Sequence, residues 1–200
     1  MRVTTDQRTY LANEVVVAAG AWSPGLLGGR YAERLQLHRQ VMFWFAPAQP
    51  AVFAPDRFPT FIWMHGQTPQ GWFYGFPVLP GSAGVKVASE QFESPLVRPE
   101  DIERTVSAVE IADMHRRHVS GRLPGITSTA VGARACLYTM APESRFIIGR
   151  DPDRQRIVVV SACSGHGFKH SAAIGEAVAQ LIADSAPPAM LDPFGPDLAN

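Results

Sequence analysis

An α/β (α+β) fold follows from three features of this sequence. Short aromatic and β-branched runs fill its middle, two runs of small and branched residues end in glycine turns, and an amphipathic stretch follows the second of these. The middle runs predict a mixed or antiparallel sheet. The outer runs predict buried, parallel-type strands covered by helices. With 200 residues, 46% of them hydrophobic and 18% charged, the chain holds enough apolar material for one or two cores. Eighteen basic and eighteen acidic side chains cancel, so composition makes no case for nucleic acid or a membrane as partner. No apolar run is long enough to span a bilayer, and an opening that carries Asp6, Arg8 and Glu14 does not read as a signal peptide. Two cysteines, Cys136 and Cys163, cannot build a disulfide scaffold, and the expected compartment is the cytoplasm.

Residues 2–11 alternate only weakly. Glu14-Val15-Val16-Val17-Ala18-Ala19-Gly20 then reads as a buried strand running into the turn Ala21-Trp22-Ser23-Pro24-Gly25. Nothing upstream supplies partners for that strand, so the chain opens as the late part of a domain does. Between 40 and 92 lie Val41-Met42-Phe43-Trp44-Phe45, Thr60-Phe61-Ile62-Trp63-Met64, Trp72-Phe73-Tyr74-Gly75-Phe76 and Val85-Lys86-Val87-Ala88, separated by Pro- and Gly-rich turns. Three of the four tryptophans fall here, a concentration that reads first as core. Lys86 interrupts an apolar strand; it is either on an exposed face or a buried lysine with a function.

Residues 99–118 read as one helix, with Pro99, Glu100 and Asp101 at its start and His115, Arg116, Arg117 and His118 at its end, which suits the helix dipole. His115 and His118 have no third ligand nearby and sit beside two arginines, so they read as a solvated helix end rather than a metal site. The last third runs strand (133–139), loop (141–144), strand (145–149), strand (157–163), glycine turn and helix (169–184). Pro187-Pro188 closes the helix, and a loose tail follows.

The strongest local signal is Ser164-Gly165-His166-Gly167-Phe168-Lys169 between a strand and a helix. Glycines there let a ligand approach the backbone, and a helix N-terminus favours an anion. On physics alone the turn reads equally as an anion site or as a plain strand-to-helix turn with a solvated lysine. Cys163-Ser164-Gly165-His166 lacks the spacing of a nucleophile elbow, and Cys136 reads by default as a small buried hydrophobe.

Val15-Val16-Val17-Ala18-Ala19-Gly20-Ala21-Trp22, Tyr74-Gly75-Phe76-Pro77, Gly84-Val85-Lys86, Cys136-Leu137-Tyr138-Thr139 and Ser164-Gly165-His166-Gly167-Phe168-Lys169 occur in that order. The series resembles the monomeric sarcosine oxidase and N-methyltryptophan oxidase family of the D-amino-acid-oxidase-like flavoproteins. The resemblance implies a substrate-domain sheet plus the C-terminal part of a Rossmann-like FAD-binding domain. It divides the chain into a late FAD-domain strand and turn (1–30), a substrate domain (31–132) and a return to the FAD domain (133–200). It implies FAD joined covalently through Cys136, with Ala19, Gly20, Trp22, Gly165, His166, Gly167, Phe168 and Lys169 as cofactor-binding residues. It implies catalytic roles for Lys86, which assists oxygen, for Tyr74 in the substrate pocket, and for Lys169, which also holds a substrate carboxylate. The implied reaction takes a secondary amine or N-methyl amino acid and oxygen to an imine and hydrogen peroxide. Two departures stand out: Glu90 replaces a pocket histidine of the family, and the Gly-x-Gly-x-x-Gly unit that cradles the FAD pyrophosphate is missing. The latter leaves three expectations: a truncated chain, a split enzyme with a separately encoded FAD-binding half as partner, or a non-catalytic remnant. Beside them stands the rival of a ligand- or partner-binding module without flavin.

Overall fold

The computed structural model describes residues 1–93, 95–184 and 188–196. Its strands and helices run β1 (Arg2–Thr4), β2 (Thr9–Leu11), β3 (Val15–Val17), α1 (Ser23–Leu27), α2 (Gly29–Arg34) and β4 (Gln36–Pro47). There follow β5 (Phe61–Met64), β6 (Trp72–Phe76), β7 (Val85–Ala88), β8 (Pro95–Leu96) and α3 (Ala108–Met114). The chain closes with β9 (Ile126–Met140), β10 (Ile147–Arg150), β11 (Ile157–Ser161) and α4 (Ser171–Asp184). It divides into two compact units: Met1–Leu37, Val97–Glu100 and Tyr138–Asn200 form the first, and His38–Leu96 with Asp101–Leu137 the second.

In the first unit β3 pairs in parallel with β11, Val15 opposite Ile157 and Val17 opposite Val159, and β10 pairs antiparallel on β11's other side. The strand that lacked an upstream partner thus finds one near the far end of the chain. Both faces of this sheet are covered, as branched runs at parallel positions require. Leu27, Tyr31 and Leu35 pack on Ile147, Ile157 and Val159 on one face. Ala177, Val178 and Leu181 of α4 pack on Ile148 and Val158 on the other. The tail departs from expectation: Ala189–Phe194 forms a 3₁₀ turn that buries Leu191 against this second core. Pro187 lies outside the described residues. The weakly alternating start is an exposed hairpin, β1 on β2.

The second unit is built on a six-stranded sheet ordered β5-β6-β7-β4-β8, with β9 also pairing β4. Alternation sorts its side chains cleanly. Val41, Phe43 and Phe45 of β4, Phe73 of β6 and Val85 and Val87 of β7 enter one core with Met114, Val119 and Leu123. Met42, Trp44, Tyr74, Phe76 and Lys86 therefore lie on the opposite face.

The single helix expected over 99–118 is broken. Pro99–Asp101 is a 3₁₀ turn, residues 102–107 are non-helical, and α3 starts only at Ala108. Arg39 explains the gap: its guanidinium donates to the carbonyl oxygens of Glu103 (2.6 Å) and Thr105 (2.9 Å), taking up groups a helix would use. Ser107 and Glu110 then form a capping box that fixes the true helix start. The end of the helix continues as a π-turn, His115–Val119.

Candidate functional site

In the first unit, the two segments marked as cofactor-binding follow the carboxyl ends of the hydrogen-bonded parallel strands β3 and β11. Ligands of open α/β sheets bind in this position. Ala19 is half-buried and Gly20 has φ of 53° at the start of the 3₁₀ turn Gly20–Trp22. The exposed Trp22 indole donates from Nε1 to Glu100 Oε1 at 2.9 Å. After β11, the backbone N–H groups of His166 and Gly167 both donate to the carbonyl of Cys163 at 2.9 Å. Gly165 has φ of 75° and packs under the Tyr138 ring, while a Cβ on Gly167 would lie 1.5 Å from the Ala162 carbonyl oxygen. Only glycine fits that second position. His166 Nε2 donates to Ser144 O at 3.0 Å, which fixes its tautomer, and Phe168 is 94% exposed. Lys169 belongs to the 3₁₀ turn Phe168–His170 ahead of α4 and donates from Nζ to His166 O at 3.0 Å. The lysine thus folds back onto a carbonyl of its own turn. Val16, Ala18, Val160, Ala162, Ile174 and Val178 line an apolar cleft of about 420 Å³ beside this turn.

In the second unit, Tyr74, Lys86 and Cys136 come together on the sheet face opposite the core. Lys86 is paired in register with Trp44 of β4 and with Phe76 of β6. Its ammonium lies 5.8 Å from the Trp44 ring centroid and 5.0 Å from that of Phe76. Lys86 is half-buried, neither on a fully exposed face nor fully enclosed. Among the described residues it makes no ion pair or hydrogen bond. Burial pushes its pKa below that of an ordinary lysine, and the nearby Cys136 thiol, negative when ionised, pulls the other way. Ala133 and Ala135 of β9 pack toward the core, so alternation turns the half-buried Cys136 to the Lys86 side. Tyr74 pairs with Ala88 and Ile62, one row from Lys86, with its ring 6.3 Å from Phe76.

Glu90 stands elsewhere. The Gln40 side chain donates to Gln91 O at 2.5 Å and accepts from Gln91 N–H at 3.0 Å, pinning the segment after β7 to β4. Glu90 then lines a cleft of about 330 Å³ with Arg39, Phe43, Glu110, Asp113 and His118. Phe43 is a core-face residue, so this cleft lies on the α3 side of the sheet.

The histidines of the helix end are not solvated as expected. His118 is 5% exposed and its Nδ1 shares a hydrogen bond of 3.1 Å with His65 Nε2, beside Phe73. Burial, then the charges of His65, Arg122 and Arg117, push its pKa down to about 4, with Asp113 opposing. His115 packs its ring on Phe45. No group of three or more potential metal ligands exists among the described residues. The His65–His118 pair and the aromatic flank of Lys86 escape sequence reasoning, because nothing local marks a pair fifty-three positions apart.

Glycine turns thus follow the carboxyl ends of parallel strands in one unit, and in the other a separate sheet presents beside a cysteine a lysine that has no ion pair or hydrogen bond among the described residues. The family model described as FAD dependent oxidoreductase (DAO) matches residues 1–181, and the chain belongs to that family. It is 38% identical over 185 residues to monomeric sarcosine oxidase of Streptomyces avermitilis, covering 90% of this chain and 47% of that protein. It is 28% identical to N-methyl-L-tryptophan oxidase of Salmonella agona, covering 96% and 49%. Among solved structures, NikD, an unusual amino acid oxidase essential for nikkomycin biosynthesis, shares the fold: TM-score 0.75 at 24% identity, over all of this chain and 52% of that one. The chain spans about half the length of the curated relatives it matches.

Proposed function

We propose that this chain carries part of the active site of an FAD-dependent amine oxidase. Its reaction takes a secondary amine or N-methyl amino acid and oxygen to an imine and hydrogen peroxide. One observation carries the reading: a half-buried ammonium, Lys86, with no carboxylate partner among the described residues, beside the thiol of Cys136 on one sheet face. A structural lysine would be paired or solvated; an uncompensated one suits an anionic group brought against it.

The residues present fit a flavin. The turns at 18–22 and 165–169 offer glycine approaches at strand ends, and the Cys136 sulfur would be the covalent attachment point. When bound, the flavin supplies the two-electron acceptor for the amine. Lys86 then provides a fixed positive charge that favours negative charge developing on oxygen. Tyr74, one row away on the same face, orients the substrate, and Lys169 binds its carboxylate by leaving the His166 carbonyl.

Because the chain spans about half of its relatives' length, the proposal includes a further segment, contiguous or separately encoded, that completes the grip on FAD. The competing reading is a flavin-free binding module. Acid precipitation separates them. The chain, supplied with FAD and a complementing glycine-rich half from a relative, should give a yellow pellet, and Cys136→Ser should release the colour to the supernatant. A colourless pellet from the unmutated chain under these conditions sinks the covalent assignment; no bound flavin at all leaves the binding module.

A further inference from the structure

We propose that Trp44 and Phe76 are positioning residues that hold the Lys86 ammonium in place by its charge while leaving that charge uncompensated. Three strands contribute one residue each to a single row across the sheet, Trp44 on β4, Lys86 on β7 and Phe76 on β6, in direct register. The two rings therefore flank the lysine from both sides, at 5.8 Å and 5.0 Å from Nζ to the centroids.

An aromatic face attracts a cation through its quadrupole and brings no net charge of its own. A carboxylate in either place would hold the ammonium too, but it would cancel the field that an incoming anion feels. Half-burial works against the charged form and the Cys136 sulfur, when ionised, opposes it, while the two ring faces add their own attraction for the cation. The chain's use of basic residues points the same way. Sixteen of its eighteen are arginine, and Lys86 and Lys169 are the two lysines. A compact ammonium fits between two rings of adjacent strands with its charge at one point; a planar guanidinium would stack on a single ring and spread its charge.

The inference rests on the oxidase reading for its purpose, but it is tested without flavin, substrate or turnover. With two lysines in the chain, ¹³Cε-lysine labelling gives two resonances, and Lys169 serves as the internal control. In the unmutated chain, ring currents should move the Lys86 ε-proton signals upfield of those of Lys169. In Trp44→Leu the Lys86 titration midpoint should fall by about one unit, equal to about a tenfold rise in neutral amine at a given pH. Trp44→Phe should restore most of that shift, Phe76→Leu should lower the midpoint in its own right, and Lys169 should not move. Absence of the upfield shift in the unmutated chain overturns the clamp, whatever the variants do. So does an unchanged or raised midpoint in Trp44→Leu and Phe76→Leu. A colourless acid pellet bears only on the oxidase reading, because the titration needs no flavin.

Discussion

His118 shows how far a single side chain can depart from what its neighbours in sequence imply. Beside Arg116 and Arg117 it reads as solvent-facing, yet the π-turn His115–Val119 rotates it inward onto His65 and Phe73. One imidazole in that pair must present a bare nitrogen to the other's N–H, so the bond survives only while a nitrogen of the pair stays unprotonated. The pKa of His118 is pushed down to about 4 from an ordinary value of 6.5, so the unfolded chain binds more protons than the folded one between those values. Stability from this site is complete above about pH 6.5 and is lost as pH falls through 4, an effect on the order of 3 kcal/mol. Urea unfolding followed from pH 7 to pH 4 should show the loss, and His118→Gln should flatten it. An equally steep profile in the variant would assign the loss to another buried imidazole such as His38, whose pKa burial also pushes below the ordinary value.

Strands with strict alternation were legible to the residue: β6 and β7 lie where their period-two patterns place them, because one face is core and the other is not. β9 runs much further back than its apolar part predicts, since Thr127, Thr129 and Gly132 carry no hydrophobic signal and are held by pairing to β4. The helix over 99–118 is misread for the opposite reason: its composition is helical throughout, and only the Ser107–Glu110 capping box marks the real start. At the site, the glycine turn after β11 was legible as a turn, while its tightness belongs to the fold. Gly167→Ala would drive a Cβ into the rigid Ala162 carbonyl, so we expect a loss of about 3 kcal/mol or more in chemical denaturation. Gly175 in α4 meets nothing within 4 Å, and Gly175→Ala should gain up to about 1 kcal/mol by helix propensity. Equal effects of the two substitutions would show that the turn relaxes more readily than its geometry implies.

Site residues alternate between the units along the chain. Residues 19–22 belong to the first, Tyr74, Lys86 and Cys136 to the second, and 165–169 to the first again. The cause is one pairing: β3 finds its parallel partner only in β11, so Val15 meets Ile157 across most of the chain. Parallel strands need a crossover, and here the whole second unit serves as that connection. The β5–β6 hairpin, by contrast, closes Met64 on Trp72 over a short turn that Gly66 and Gly71 let pack tightly. Loop-closure entropy grows with the logarithm of length, so the long pairing costs more before it gains anything. Long-range parallel sheets are accordingly slow to form. In pulsed hydrogen exchange during refolding, amides of β5 and β6 should become protected first. Those of β3 and β11 should follow together in a later phase of a single rate, because neither strand is stable without the other. Protection of β11 with β10 well ahead of β3 would show that the antiparallel hairpin stands alone, and would assign the slow step to docking of β3 instead of to formation of the sheet.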